Sequence, residues 1–140
     1  MIYFASDFHL GSPNYETSNS REKEICRWLD SIKDKASEIY FLGDTFDFWF
    51  EYKAVVPKGY IRFLGKLAEL NDRGVKLHMC VGNHDLWIGK YLQIECGVTV
   101  FSKPKTIQIG SFKYHIHHGD GLGPGDIRYK FLKKIFTNFW

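Results

Sequence analysis

Four short segments carry the side chains best equipped for chemistry: Asp7-Phe8-His9, Gly43-Asp44, Gly82-Asn83-His84-Asp85 and His118-Gly119-Asp120. Carboxylates, an amide oxygen and imidazoles form a mixed oxygen and nitrogen donor set that suits Mn²⁺, Fe or Zn²⁺ and is too rich in nitrogen for a dedicated Ca²⁺ cage. Alternate residues of an extended segment point to the same side, so Asp7 and His9 can reach one cation. The glycines before Asp44 and Asn83 and after His118 allow sharp turns and a close backbone approach to a phosphate. Taken singly, each segment reads as a turn or a solvated loop. Their joint occurrence at the ends of predicted strands is what points to a site.

Those ends require elements to position them. Ile2 to Ala5 is a short apolar run closed by Ser6-Asp7 and reads as a buried strand, as does Glu38 to Gly43. Val75 to Val81 forms the third. Between them, residues 21 to 34 place Ile25, Trp28, Leu29 and Ile32 at helical spacing with Asn19 or Ser20 as N-cap, and Pro57 to Leu70 places Ile61, Leu64, Leu67 and Ala68 on one face. Alternating strand and helix predicts an α/β domain whose site lies at the carboxyl ends of parallel strands. A short helix over Leu86 to Leu92 and strands over Val98–Phe101, Thr106–Ile109 and Phe112–His117 follow, with a turn at Gly110-Ser111. His78 and His115 alternate with apolar strand residues and read as packed or surface histidines. His118 is favoured over its neighbour His117 because Gly-Asp follows it.

The four segments resemble the calcineurin-like metallophosphoesterase superfamily, whose motifs run Asp-x-His, Gly-Asp, Gly-Asn-His-Asp/Glu, His and finally Gly-His-x-His. The first four are here in order; the last is not in the sequence. The resemblance implies an α/β/β/α sandwich, truncated at its C-terminus, and two divalent metal ions, Mn²⁺ first with Fe or Zn as alternatives. It implies that Asp7, His9 and Asp44 hold one metal, that Asp44 bridges, and that Asn83 and His118 hold the second. His84 would face the phosphate as charge stabiliser or leaving-group acid, with Asp85 orienting it. Two metals about 4 Å apart can clamp an in-line displacement, and a protonated imidazole assists departure.

Within that superfamily, Asp7-Phe-His-Leu-Gly11, Gly43-Asp-Thr-Phe-Asp47-Phe-Trp49, Gly82-Asn-His-Asp-Leu-Trp87 and His118-Gly-Asp-Gly121 resemble the UDP-2,3-diacylglucosamine hydrolase family. This implies attack at the nucleotide-proximal phosphorus, releasing UMP and a diacylglucosamine 1-phosphate in lipid A biosynthesis. Asp47 is expected to support a ligand or to face the substrate, and Phe48, Trp49 and Phe50 to offer apolar surface to it near the site entrance or, equally, to belong to the core. Residues 126 to 140 set Ile127, Phe131, Leu132, Ile135, Phe136 and Phe139 against Arg128, Lys130, Lys133 and Lys134. This segment resembles the start of a helical cap over 122–140, with Phe131 and Phe136 as acyl contacts. The pattern stops midway, so the natural protein is expected to continue past Trp140. A phosphodiesterase or nuclease acting on a soluble substrate, or a non-catalytic fragment, are the competing functions.

Composition is consistent with this reading. The chain's 140 residues, 44% hydrophobic and 25% charged, make one ordinary domain with a core. A net charge of +3 is too small to imply nucleic acid as a partner. Cys26, Cys80 and Cys96 form no Cys-x-x-Cys pair, which argues against a disulfide framework and for a reduced, cytoplasmic protein. No apolar run reaches the length of a membrane helix. Basic residues beside an apolar face suit an anionic bilayer surface, so the expected location is cytoplasmic and peripheral on the inner membrane, with a nucleotide-linked glycolipid as substrate. The sequence assigns no oligomeric state.

Overall fold

A computed structural model describes residues 1–120. Four parallel strands, β1 (Ile2–Ala5), β2 (Glu38–Leu42), β3 (Lys76–Cys80) and β4 (Thr99–Phe101), pair in the order β1-β2-β3-β4. Helices α1 (Tyr15–Ile32), α2 (Ile61–Asp72) and α3 (Tyr91–Cys96) connect them in turn. A two-stranded antiparallel hairpin, β5 (Lys105–Ile109) and β6 (Phe112–Ile116), follows. The α/β layout expected from the sequence is thus observed.

Strand alternation sorts side chains between two faces. On one face Ile39, Phe41, Leu77, Met79 and Val98 meet Ile25, Leu29 and Ile32 of α1, Phe63, Leu67 and Leu70 of α2, and Leu92 of α3 in a single core. On the other, Phe4 stacks on Tyr40 (5.2 Å between centroids) and Tyr40 on His78 (4.3 Å). Glu38 ties this second face together, its Oε2 accepting from the Tyr40 hydroxyl (2.9 Å) and contacting His78 Nε2 (3.2 Å). His78 is therefore the packed histidine that its strand position predicted.

Several boundaries differ from the sequence reading. Helix α1 begins at Tyr15, capped by Asn14, whose Oδ1 accepts from Thr17 N (2.9 Å), and not at Asn19 or Ser20. Its first turns bury polar rather than apolar groups. Ser18 Oγ accepts from Gly11 N (2.7 Å), and Glu22 Oε1 accepts from Arg62 N and Phe63 N (2.9 and 3.0 Å), so hydrophobic periodicity does not register them. That same Glu22 carboxylate supplies the cap that Tyr60, in left-handed conformation (φ 57°), does not give α2. Helix α2 consequently starts after Lys58-Gly59-Tyr60, and Ile61, expected on its apolar face, is exposed while Phe63 is buried. Helix α3 lies at Tyr91–Cys96 rather than 86–92. Glu51 accepts from Gly89 N and Tyr91 N and so delays its start, and Gly97 (φ 66°) ends it.

Candidate functional site

Register brings the reactive segments together. Ala5 pairs with Phe41, and Leu42 with Cys80, so β1, β2 and β3 finish level with one another. Strand-like bonds continue beyond the strands: Asp7 N donates to Gly43 O (3.1 Å), His9 N to Asp44 O (2.9 Å) and Leu10 N to Thr45 O (3.1 Å). Asp7, His9 and Asp44 all adopt positive φ (58°, 44° and 49°). Non-glycine residues pay for that conformation, and it concentrates where surrounding structure enforces a functional geometry. Arg21 of α1 supplies part of that enforcement, its Nη1 reaching the carbonyl oxygens of Phe8, His9 and Ser12 (2.8–3.1 Å). Sequence reasoning missed Arg21, because a charged residue on a surface-patterned helix gives no sign that it braces a loop.

Asp44 is the centre of the cluster and almost wholly buried. Its Oδ1 accepts from His84 N (3.0 Å), while its Oδ2 lies 3.3 Å from His118 Nε2 and 3.7 Å from His9 Nε2. The His118 ring is fixed from behind, since Nδ1 donates to the carbonyl of Leu42 (2.9 Å). In a neutral imidazole the other nitrogen is then a lone pair. That lone pair faces Asp44 Oδ2 and, at 3.1 Å, Asn83 Oδ1. Three electron-pair donors converging in this way are what a metal-ion site requires. The carbonyl-to-imidazole brace is the usual support for a metal-ligating histidine. His9 repeats the arrangement: Nδ1 contacts Asp47 Oδ1 (3.3 Å), leaving Nε2 toward Asp44 and, at 4.0 Å, Asp7.

Candidate ligand atoms of His9, Asp44 and His84 lie within 4.8 Å of one another, as do those of Asp7, Asp44 and His118. Both groups contain Asp44. The resemblance pairs the ligands differently, joining Asp7 to His9 and leaving His84 free, and the contacts of Asp44 with His9 and with His118 accommodate that pairing too. His84 is exposed on its outer side, with Nδ1 3.2 Å from the Asp47 carbonyl and its ring edge-on to His9 (4.8 Å between centroids). Its Nε2 therefore points away from this anchor. His117 packs beside His115 (5.3 Å), so of the adjacent pair it is His118 that enters the cluster.

Two expectations need correction. Asp85 does not orient His84. It is fully buried, with Oδ1 accepting from Gly82 N (2.7 Å) and Oδ2 from Thr45 N and Phe46 N (2.9 and 3.3 Å), while Asp47 holds the His84 ring. Burial raises the Asp85 pKa and the Asp44 charge adds to the rise, against the three backbone donors. Trp49 does not face the substrate either. It is fully buried among Phe46, Tyr60 and Tyr91, with its indole N–H on Glu51 Oε1 (3.0 Å), whereas Phe48 is 57% exposed and packs against Trp87 (5.8 Å). One strand-like step separates Phe48 from Trp49, and that step turns them to opposite sides. Gly43 and Gly119 do turn the backbone through positive φ (97° and 103°), and the glycines have a further use: a side chain at Gly43 would fall on the His118 ring, and one at Gly82 on Asp44. They make room for the cluster's own side chains. Phe131, Phe136 and the expected cap over 122–140 lie outside the described residues.

Comparison with known proteins places these features in context. The family model for calcineurin-like phosphoesterases matches residues 1–138. The chain is 46% identical over 119 residues to a UDP-2,3-diacylglucosamine hydrolase of Porphyromonas gingivalis, covering 85% of this chain and 45% of that protein. A protein of the same name from Nitrosococcus oceani is 30% identical, covering 91% and 49%. The chain spans about half the length of these relatives. Among solved structures, a protein of unknown function from Aquifex aeolicus matches with a TM-score of 0.57 at 19% identity, covering 99% of this chain and 70% of that one, which supports the fold alone.

Proposed function

The chain belongs to the calcineurin-like phosphoesterase family, and from that premise we propose that it forms the ligand-gathering half of a two-metal hydrolase that cleaves UDP-2,3-diacylglucosamine. The observation that carries the metal reading is the convergence of the His118 Nε2 lone pair, Asn83 Oδ1 and buried Asp44. Asp7, His9 and Asp44 would hold one ion, and Asp44, Asn83 and His118 the other. The mixed donor set suits Mn²⁺. When bound, the ions neutralise charge on the phosphoryl oxygens and lower the pKa of the attacking water.

The residues of the chain do the rest. A water oxygen attacks the uridine-proximal phosphorus, and the bond from that phosphorus to the bridging oxygen breaks. UMP and 2,3-diacylglucosamine 1-phosphate leave. His84, its Nδ1–H held by the Asp47 carbonyl, stabilises the developing charge from Nε2 or donates a proton there. Asp47 also fixes His9, so one residue aligns both imidazoles. Phe48 and Trp87 present apolar surface beside His84 for an acyl chain, in the place first expected of Trp49.

Two relatives carrying the name of this hydrolase support the substrate. A lipid-linked substrate in turn favours action at an anionic membrane surface, as a peripheral protein on the cytoplasmic side of the inner membrane. No helix among the described residues is long and apolar enough to cross a membrane. The test is UMP release from UDP-2,3-diacylglucosamine by the full-length protein with Mn²⁺, set against hydrolysis of bis(p-nitrophenyl) phosphate. Cleavage of the model diester alone would exclude the lipid substrate.

A further inference from the structure

A cavity of about 370 Å³, bordered by Gly11, opens between the first turns of α1 and the loop before α2. Gly11, Tyr15, Asn19, Glu22, Lys58 and Tyr60 line it. It adjoins the site closely: a Cβ added to Gly11 would stand 2.7 Å from the Tyr60 hydroxyl and 3.7 Å from Asp47 Cβ. Asp47 in turn touches His9 and His84. A ligand whose phosphate sits among those histidines has this cavity beside it.

The lining is specific in its chemistry. Glu22 is 5% exposed, and its Oε1 is occupied by the Arg62 and Phe63 backbone N–H groups. Its Oε2 takes no part in that cap and is the carboxylate oxygen left to accept from a ligand in the cavity. Asn19 uses its Oδ1 on Arg62 Nη1 (3.3 Å), which leaves its amide N–H groups as donors, and the Tyr60 hydroxyl is a second donor. Tyr15, 73% exposed, offers an aromatic face at the rim. An acceptor, two donors and an aromatic ring on one lining are the groups that complement a planar imide, an N–H flanked by two carbonyl oxygens.

Resting on the hydrolase reading above, we infer that this cavity binds the uracil of the nucleotide half, with Glu22 accepting the imide N–H and Asn19 and Tyr60 donating to its carbonyl oxygens. The volume falls within the roughly 300–1,000 Å³ of small-molecule sites. The two halves of the substrate then diverge from the phosphates, the base toward α1 and α2 and the acyl chains toward Phe48 and Trp87. Cytosine presents an acceptor at its ring nitrogen in place of the imide N–H, so the site discriminates between the bases.

Calorimetric titration of the full-length, Mn²⁺-loaded protein with UMP and CMP tests this. UMP should bind about tenfold or more tightly than CMP, because a site built to bond a polar group rejects an analogue that leaves it unpaired. Glu22→Gln keeps an oxygen for the α2 cap but turns an N–H toward the base. It should weaken UMP roughly 10- to 100-fold and shift the preference toward CMP. Tyr60→Phe, which removes one hydroxyl, should weaken UMP roughly three- to tenfold, and it decides the matter alone if the Gln variant does not fold. Equal affinity for both bases, or UMP binding untouched by both variants, overturns the assignment while turnover of UDP-2,3-diacylglucosamine stands. Failure of the unaltered protein to cleave that substrate overturns instead the reading on which the inference rests.

Discussion

Replacing Asp85 by alanine should unfold the protein more readily before it affects any chemical step. The carboxylate is fully buried and receives three backbone N–H groups, from Gly82 on one oxygen and from Thr45 and Phe46 on the other. These donors belong to the two loops that carry Asn83 and Asp44. Alanine removes the acceptor without supplying another, and each buried N–H left unpaired costs about 1–3 kcal/mol. Burying the charge is itself unfavourable, as the raised pKa of Asp85 shows, and this offsets part of the loss. A net cost of about 3–4 kcal/mol follows, within the range for breaking a buried charged network. For a domain of this size that is a fall in Tm on the order of 10 °C. Asp85→Asn keeps one oxygen for Thr45 and Phe46 and should cost about 1–2 kcal/mol. Differential scanning calorimetry of the three proteins measures both losses. An alanine variant that melts with the unaltered protein yet loses turnover would return Asp85 to the chemistry and sink the structural account.

Four further outcomes are expected. Asp44→Ala should lose both metal ions, since its Oδ2 faces His118 and His9 alike; two ions per chain by elemental analysis of the variant would refute the bridge. His84→Ala should retain its metal content while turnover drops roughly a hundred- to ten-thousand-fold, and loss of one ion would make His84 a ligand. Trp49→Ala should destabilise the fold by about 3–5 kcal/mol, whereas Trp87→Ser should raise KM for the acylated substrate and spare the model diester; the reverse pattern would restore Trp49 to the substrate surface. His78 has its pKa lowered from 6.5, by burial first and against the pull of Glu38. Its stabilising contribution is therefore complete above about pH 6.5 and is lost as pH falls toward the folded-state value. Urea midpoints at pH 7.5 and 5.5 should fall further for the unaltered protein than for His78→Leu, and parallel falls would deny His78 any part.

The proposed ligands were legible because each sits where an apolar run stops. A buried strand cannot end on Asp or His without delivering that group to a sheet edge, so Asp7, Asp44 and Asn83 declared their shared location through hydrophobic pattern alone. The polar residues that hold the frame did not. Ser18, Arg21 and Glu22 occupy one stretch of α1, and each is satisfied by backbone from another segment: Gly11, the Phe8 to Ser12 loop, and the start of α2. Periodicity reports what a residue does for its own helix. It is blind to a partner 40 positions away, so the apolar pattern of α1 begins later than the helix itself.

Trp49 and Asp85 show that a place beside a reactive group in sequence does not fix a role: Trp49 turns into the core, and Asp85, which the resemblance sets behind His84, bonds backbone instead. Asp47 shows when the inference from place to role holds. It lies three residues after Asp44, on the loop leaving β2, where its carboxylate reaches the ring of His9 and its carbonyl the ring of His84. A change at Asp47 should then disturb the two histidines through different atoms. Asp47→Asn keeps the carbonyl that anchors His84 and removes only the charge beside His9. Loss of metal affinity with the His84-dependent pH profile intact is the expected signature. Loss of that profile at full metal occupancy would show that the carboxylate, 3.5 Å from His84 Nδ1, serves the acid and not the ligand.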